Sequence, residues 1–370
     1  TGMGDIPFIK PYVSERAAAM AAETLRSGWI GEGPKVREFE IRIGRLVGSS
    51  FPVAVNSGTS ALHLALTVAG VGPRDEVLTT AQTMLATSQA ILACGAVPVY
   101  ADIQYGNGNL DPRDLAKRVT PRTRAILAVD WGGYPCDYDE LLAVAQEHKL
   151  ALVEDAAHAL GATYHGRPVG SVCPYTCFSF QAIKHLTTGD GGLVCLPDGE
   201  SYRKAMRLRW FGIDRERRQP SLLGEPVWNV TELGYKYHMN DVAAAVGLGN
   251  LEDWDLIRTR RHRIAEAYLE HLRSLAGVEH FERRGDRQHA DWLFSMHVER
   301  RDDFCQAMKA RNVQVSVVHL RIDRNALCGG ERPDLPMLDR FTRTHISLPL
   351  HPLLSDEDVQ SVVRAVRAGW

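Results

Sequence analysis

An α/β fold is what this sequence predicts, with a large domain built on a mostly parallel sheet and a smaller C-terminal α+β domain after it. Three features carry that reading. Short apolar or β-branched runs recur along the first half of the chain, helix-period stretches separate most of the early ones, and the pattern changes after about residue 240. Alternation of this kind means parallel strands joined by crossover helices that cover both faces of the sheet.

The strand-like runs are FPVAV (51–55), EVLTT (76–80), VPVYAD (97–102), RAILAVDW (124–131), LALVEDAA (150–157), TCFSF (176–180) and GGLVCL (191–196). Between most of the first five lie SALHLALTVAGV, TSQAILACGA and DELLAVAQEHK, whose apolar residues recur at helical spacing. Past residue 240 a long helical stretch, NDVAAAVGLGNLEDWDLIRTRRHRIAEAYLEHLRSL, leads to strand-like WLFSMHV, helical DDFCQAMKARN, then VQVSVVH and a final helix in SDEDVQSVVRAVRAG. The domains are accordingly placed at residues 1–240 and 241–370, in a region where one long helix can belong to both.

Composition narrows the partners. With 43 Lys and Arg against 45 Asp and Glu, the net charge of -2 sets up no field that would gather nucleic acid or an anionic membrane. No window reaches the roughly 18 apolar residues of a membrane span, and TGMGDIPFIKPY lacks the basic and apolar regions of an export signal. Thr1 and Gly2 precede Met3 and are left out of the fold reasoning. The seven cysteines are scattered, several inside apolar runs, which favours a reducing cytoplasm. Cys173 and Cys177 have no second ligand pair at zinc-site spacing, so no metal is expected.

Three stretches bear chemistry, because ligands of such sheets bind beyond the carboxyl ends of the strands. In VAVNSGTSALHLAL (53–66) a strand runs through Asn56, Ser57, Gly58, Thr59 and Ser60 straight into a helix, which makes an anion cradle from exposed N–H groups, a glycine and hydroxyls; a plain Ser/Thr cap is the alternative. In LALVEDAAHALGATYHG a strand ends at Glu154 and Asp155, with His158 three residues on, where a helix cap and a structural histidine are the ordinary alternatives. In FSFQAIKHLTTGDGG (178–192), Lys184 follows a strand and precedes a glycine-bounded turn, where a solvated lysine is the ordinary alternative. Together the three supply what pyridoxal phosphate needs: a lysine for the Schiff base, an acid for the pyridinium nitrogen and a cradle for the phosphate.

NSGTSALHLAL, EDAAHALGATYHGRPVG, FSFQAIKHLTTGDGG and LGYKYHMNDVAAAVG, in this order and spacing, closely resemble the DegT/StrS-type sugar aminotransferases of the aspartate-aminotransferase fold, fold type I. The resemblance runs from IPFIKPY to SLPLHPLLSDEDV, nearly the whole chain. It implies a pyridoxal-phosphate enzyme and a homodimer with active sites at the interface. Lys184 matches the cofactor-binding lysine and Asp155 the partner of the ring nitrogen. Gly58, Thr59 and Ser179 match phosphate positions, and His158 stands beside the cofactor's 3-hydroxyl, where glutamine is common. Two departures stand out. Met84, in TMLAT, occupies the place of an aromatic residue that stacks on the ring. GYKYH (234–238) replaces G-Y-N-Y-R, which leaves Lys236 or His238 to reach the partner subunit's phosphate.

The resemblance implies glutamate as donor and a nucleotide-linked 4-keto-6-deoxyhexose as acceptor. A keto-cyclitol aminotransferase and a non-catalytic cofactor-binding regulator are alternatives, the latter opposed by an intact Lys184 and Asp155. A dehydratase of the same fold carries histidine in place of the lysine, and a nicotinamide enzyme would need a G-x-G-x-x-G that no early strand supplies. For a diphosphate, RLRWFGIDRERR (207–218) offers Arg207, Arg209, Arg215, Arg217 and Arg218, with Arg209 and Arg215 singled out as substrate residues; a solvated basic loop is the alternative.

Overall fold

The computed structural model describes residues 5–217 and 219–370; Thr1, Gly2 and Arg218 lie outside the described residues. Strands β1 (Pro52–Val55), β2 (Glu76–Thr80), β3 (Val97–Ala101), β4 (Thr123–Val129) and β5 (Ala151–Asp155) follow the expected runs. After a small hairpin, β6 (Thr163–Tyr164) and β7 (Arg167–Pro168), come β8 (Tyr175–Ser179) and β9 (Gly192–Cys195). The seven-stranded sheet has the order β1-β9-β8-β5-β4-β2-β3. Only β9 runs against its neighbours, pairing antiparallel with β1 and β8.

Side chains alternate across this sheet, and both faces are covered. Val77, Leu127 and Val153 join the layer that holds Leu64 and Leu66 of the helix Gly58–Val68. Their strand neighbours Leu78, Ile126 and Leu152 join the opposite layer with Leu115 and Leu141 of two other helices. Burial on both faces is why these strands read as continuous apolar runs. The fold class is α/β, with helices on both faces of a mostly parallel sheet.

The C-terminal unit is a three-stranded antiparallel sheet of β10 (Val278–His280), β12 (Phe294–Val298) and β13 (His345–Leu348), in the order β10-β12-β13. Ile264 and Tyr268 of the helix Trp254–Leu272, Phe304 of Arg301–Ala310 and Val362 of Asp356–Arg367 pack with it. A two-residue strand, β11 (Arg287–Gln288), instead joins the β6–β7 hairpin of the first unit.

The boundary at residue 240 is corrected by the packing. The helix Asp241–Leu251 places Ala244, Ala245 and Leu248 in one cluster with Met20, Val36 and Phe39, inside the large unit. Gly249 is why the helices come so close: a Cβ there would lie 2.4 Å from the Cα of Ala17. The Asp241 carboxylate accepts from the N–H groups of Gly33, Lys35 and Val36 and so caps the helix Pro34–Val47. The change of unit falls inside Trp254–Leu272, whose Trp254 lies in the large core and whose Ile264 lies in the small one. The chain also starts in the small unit, where Ile6 bridges to Val313.

Candidate active site

The parts singled out in the sequence meet at the carboxyl ends of β1, β5 and β8. At the end of β1, Ser57 has an extended backbone (φ -164°), and its Oγ accepts from the Ser60 N–H at 3.0 Å, which opens the helix at Gly58. The helix therefore presents its first N–H groups to the space above the sheet, where they favour an anion. Gly58 is needed for a close approach, since a Cβ there would lie 2.9 Å from the Cβ of Ser179 at the end of β8. Thr59 is exposed on the same turn and Ser179 is half-buried beside it.

Asp155 ends β5 with its carboxylate buried. Its Oδ2 accepts from the Thr87 hydroxyl and its Oδ1 from the Ala157 N–H, both at 3.2 Å. Burial raises its pKa above the ordinary carboxylate range, against the pull of Ala157, Lys184 and Thr87. Glu154 takes no part, because alternation along the strand sends it to the other face, where Thr176 donates to it.

Lys184 sits in the turn after β8, partly exposed, with its Nζ 4.0 Å from the centroid of the Trp292 indole. Burial of its ammonium brings the pKa down to about 7, with Asp155 opposing the shift. His158 is buried and stacks on the same indole, with ring centroids 3.8 Å apart and planes 22° apart. Its Nδ1 accepts from the Gly132 N–H at 3.3 Å, so the ring proton resides on Nε2, and burial keeps the imidazole neutral.

The remaining expected residues are distributed around this centre. Met84 is 49% exposed at the rim beyond β2, and its Sδ accepts from the Ala86 N–H at 2.9 Å. The Lys236 carbonyl accepts from Asn56 Nδ2 at 3.1 Å, and its side chain is exposed. His238 pairs with Val55 of β1 through the backbone and meets Trp210 edge-on at 4.2 Å. Both therefore lie beside the cradle of their own chain.

Arg209 requires a correction. Its guanidinium is 2% exposed and is held by Glu40 at 2.6 Å, Glu32 at 2.5 Å and the Ala54 carbonyl at 2.8 Å, so it is a structural cation. Among the described residues, Arg207 and Arg217 of this segment have carboxylates too, Glu232 and Asp214 respectively. Arg215 is bound to the second Glu32 oxygen at 3.0 Å and lies over the Trp210 ring, yet it remains 46% exposed and is the better placed of the two for a ligand.

Residues 11–367 match the DegT/DnrJ/EryC1/StrS aminotransferase family. The chain belongs to this family. The spore coat polysaccharide biosynthesis protein SpsC of Bacillus subtilis is 38% identical over 374 residues, which covers 98% of this chain and 96% of SpsC. Among solved structures, AtS13 from Actinomadura melliaura is 38% identical with a TM-score of 0.95 over the full length of both chains. DesI, solved in the presence of its TDP-sugar product, is 31% identical with a TM-score of 0.88, covering 100% of this chain and 93% of DesI. A further neighbour, 29% identical, has been solved in a PLP form.

The protein is thus a sugar aminotransferase that depends on pyridoxal phosphate, and the geometry fits that cofactor on three counts. The Gly58 helix start, closed tightly against Ser179, suits the phosphate. A buried carboxyl of raised pKa at Asp155 suits a cationic ring nitrogen. A lysine of lowered pKa stands across from it. Three residues of this centre were not singled out in the sequence. Nothing in TMLAT sets Thr87 apart from its neighbours, and Trp292 and His319 fall at the ends of strand-like runs with no local motif of their own.

Proposed function

We propose that this enzyme moves the amino group of glutamate to a nucleotide-linked 4-keto-6-deoxyhexose. The observation that carries the transaminase chemistry is the placement of Lys184, its Nζ 4.0 Å from the Trp292 indole and near enough to attract the buried Asp155 carboxylate at the end of β5. Bound, pyridoxal phosphate supplies a carbonyl that takes up the amino group and a ring that draws electrons from the reacting carbon. Lys184 attaches the cofactor and, near neutral pH, has enough of its neutral form both to bond and to carry a proton. Asp155, oriented by Thr87 and Ala157, would hold the ring nitrogen protonated. His158, whose Nδ1 is taken by the Gly132 N–H, would offer its Nε2–H to the ring oxygen, and Gly58, Thr59 and Ser179 would hold the phosphate. Met84, at the rim beyond β2, would cover the open side of the ring.

A nucleotide sugar as acceptor is supported by the TDP-sugar product of DesI. The inward-turned Arg209 favours a second reading, a keto-cyclitol acceptor without a diphosphate, because it removes one of the two expected cations. The two readings separate when the purified holoenzyme and glutamate are offered TDP- and UDP-linked 4-keto-6-deoxyhexoses beside a keto-cyclitol and the aminated product is weighed. Amination of the nucleotide sugars alone supports the proposal, and amination of the cyclitol alone overturns it.

The reading includes a homodimer with shared sites. Trp29, Ile30, Phe211, Leu222, Leu223 and Leu233 are exposed, on segments flanking Arg215 and Lys236, and a second copy would cover such apolar surface. In this reading the backbone of Lys236 and His238 stays paired with Asn56 and Val55 of its own chain, and one of the two side chains extends across the interface to the phosphate held by the partner subunit. No helix is long and apolar enough to cross a membrane among the described residues, and the cysteines are free thiols, in keeping with a reducing cytoplasm.

A further inference from the structure

The segment 316–323 leaves the C-terminal unit and ends over the active site. At its start, Ser316 pairs with Ser347 of β13 through hydrogen bonds of 2.9 and 3.2 Å. At its end, the Ile322 N–H donates to the carbonyl of Ala81 at 2.9 Å, just beyond the carboxyl end of β2. Between these anchors Val318 has φ +62°, a conformation in which a β-branched residue is a true outlier. The His319 N–H closes the turn on the Val317 carbonyl at 2.7 Å, which makes a γ-turn of the strained hand. The Val318 N–H is held by Ser316 Oγ at 2.9 Å, and His345 Nε2 lies 3.3 Å from the same Val317 carbonyl. Strain of this kind persists only where the surroundings impose it, and it collects at functional sites.

What the turn delivers is the His319 ring. It lies nearly parallel to His158, with planes 16° apart and centroids 6.1 Å apart, too far to touch. Trp131 stands edge-on to both rings. His319 is half-buried, and among the described residues neither of its ring nitrogens makes a hydrogen bond. Burial and the charge of Lys184 bring its pKa down to about 4, so the ring is neutral, with one nitrogen donating and one accepting. Such a group suits a carbonyl or hydroxyl and gives little to a phosphate.

We infer that His319 is a substrate-binding residue by which the C-terminal unit grips the keto-sugar ring, hydrogen-bonding its carbonyl or an adjacent hydroxyl, and that the strained turn at Val318 holds it there. The inference rests on the sugar acceptor proposed above and deepens it. His158 serves the cofactor from the large unit, while His319 faces the same space from the other wall.

The two half-reactions test this separately, with glutamate as donor and TDP-4-keto-6-deoxyglucose as acceptor. With His319→Ala, the KM for the keto-sugar is expected to rise about tenfold, the loss of one hydrogen bond, while the glutamate half-reaction stays within about twofold of the parent. His319→Asn, which keeps a neutral donor and acceptor, should recover part of the loss, and both variants should melt with the parent. An unchanged keto-sugar KM in His319→Ala, or an equal fall in both half-reactions, would overturn the inference. The glutamate half-reaction of the unaltered enzyme reports on transamination by itself, so a failure of the proposed reaction is seen apart from a failure of His319.

Discussion

Lys184 and Trp292 meet at 4.0 Å, ammonium over indole, although 107 intervening residues separate a turn of the large unit from the segment that leads into β12. The Trp292 Nε1–H donates to the carbonyl of Ile183 at 3.0 Å, so the indole fixes the turn as well as the side chain. A cation over a desolvated indole gains about 0.5–2 kcal/mol, which favours the charged lysine and partly offsets its burial.

That balance predicts the pH course of cofactor attachment. Because the pKa of Lys184 is about 7, the rate at which cofactor-free protein takes up pyridoxal phosphate should rise with pH about a midpoint near 7. Trp292→Leu should move the midpoint lower and cost stability through the lost indole packing. Stopped-flow absorbance across pH reads the first effect and thermal melts read the second. The sign for stability follows from the same shift. Lys184 in the folded cofactor-free protein gives up its proton near 7, and an unfolded lysine does so near its ordinary 10.5, so the unfolded chain binds more protons between these values. This group therefore contributes stability that grows as pH rises through that window and is lost as pH falls toward 7.

Asp155→Asn should leave the cofactor bound and slow amino transfer by orders of magnitude, because an amide cannot hold the ring nitrogen protonated. Thr87→Val removes only one orienting bond to Oδ2 and should cost far less. Single-turnover rates with glutamate compare the two. Equal losses would mean that Asp155 acts through packing.

His158 should not titrate near neutral pH, since burial holds its pKa well below the ordinary imidazole value. Its ring nitrogens, followed by NMR between about pH 5 and 8, should stay neutral, with the proton on Nε2. His158→Gln keeps a donor and should retain much of the activity that His158→Leu loses.

Arg209 and Arg215 should separate cleanly. Removing one partner of a buried ion pair costs about 3–5 kcal/mol, so Arg209→Met should lower the unfolding midpoint sharply. Arg215, half exposed, should cost less than about 1 kcal/mol as Arg215→Ala while raising the KM for a nucleotide sugar. Chemical denaturation and steady-state kinetics read both.

The sheet was legible in the sequence because its central strands are buried on both faces and therefore read as apolar runs at regular intervals. The positions of Gly58, Asp155 and Lys184 at or just beyond strand ends were legible because each closes a strand-like run or follows one within a few residues. The unit boundary was not, since an alanine- and glycine-rich helix such as Asp241–Leu251 has apolar residues for either core and only packing against Ala17 decides. The inward turn of Arg209 is hidden in the sequence for a similar reason. Its carboxylate partners lie 169 and 177 residues upstream, and no local pattern announces them. His319 depends on a positive φ at a valine, which composition argues against.

The most direct test of the account is chemical marking of the attached lysine. The holoenzyme is reduced with borohydride, digested, and its peptides are weighed. The account predicts one phosphopyridoxyl group, carried by the peptide that contains Lys184, and none after prior treatment with glutamate, which moves the cofactor off the lysine in its aminated form. A label on another lysine such as Lys236, or one at Lys184 that glutamate does not remove, would contradict it.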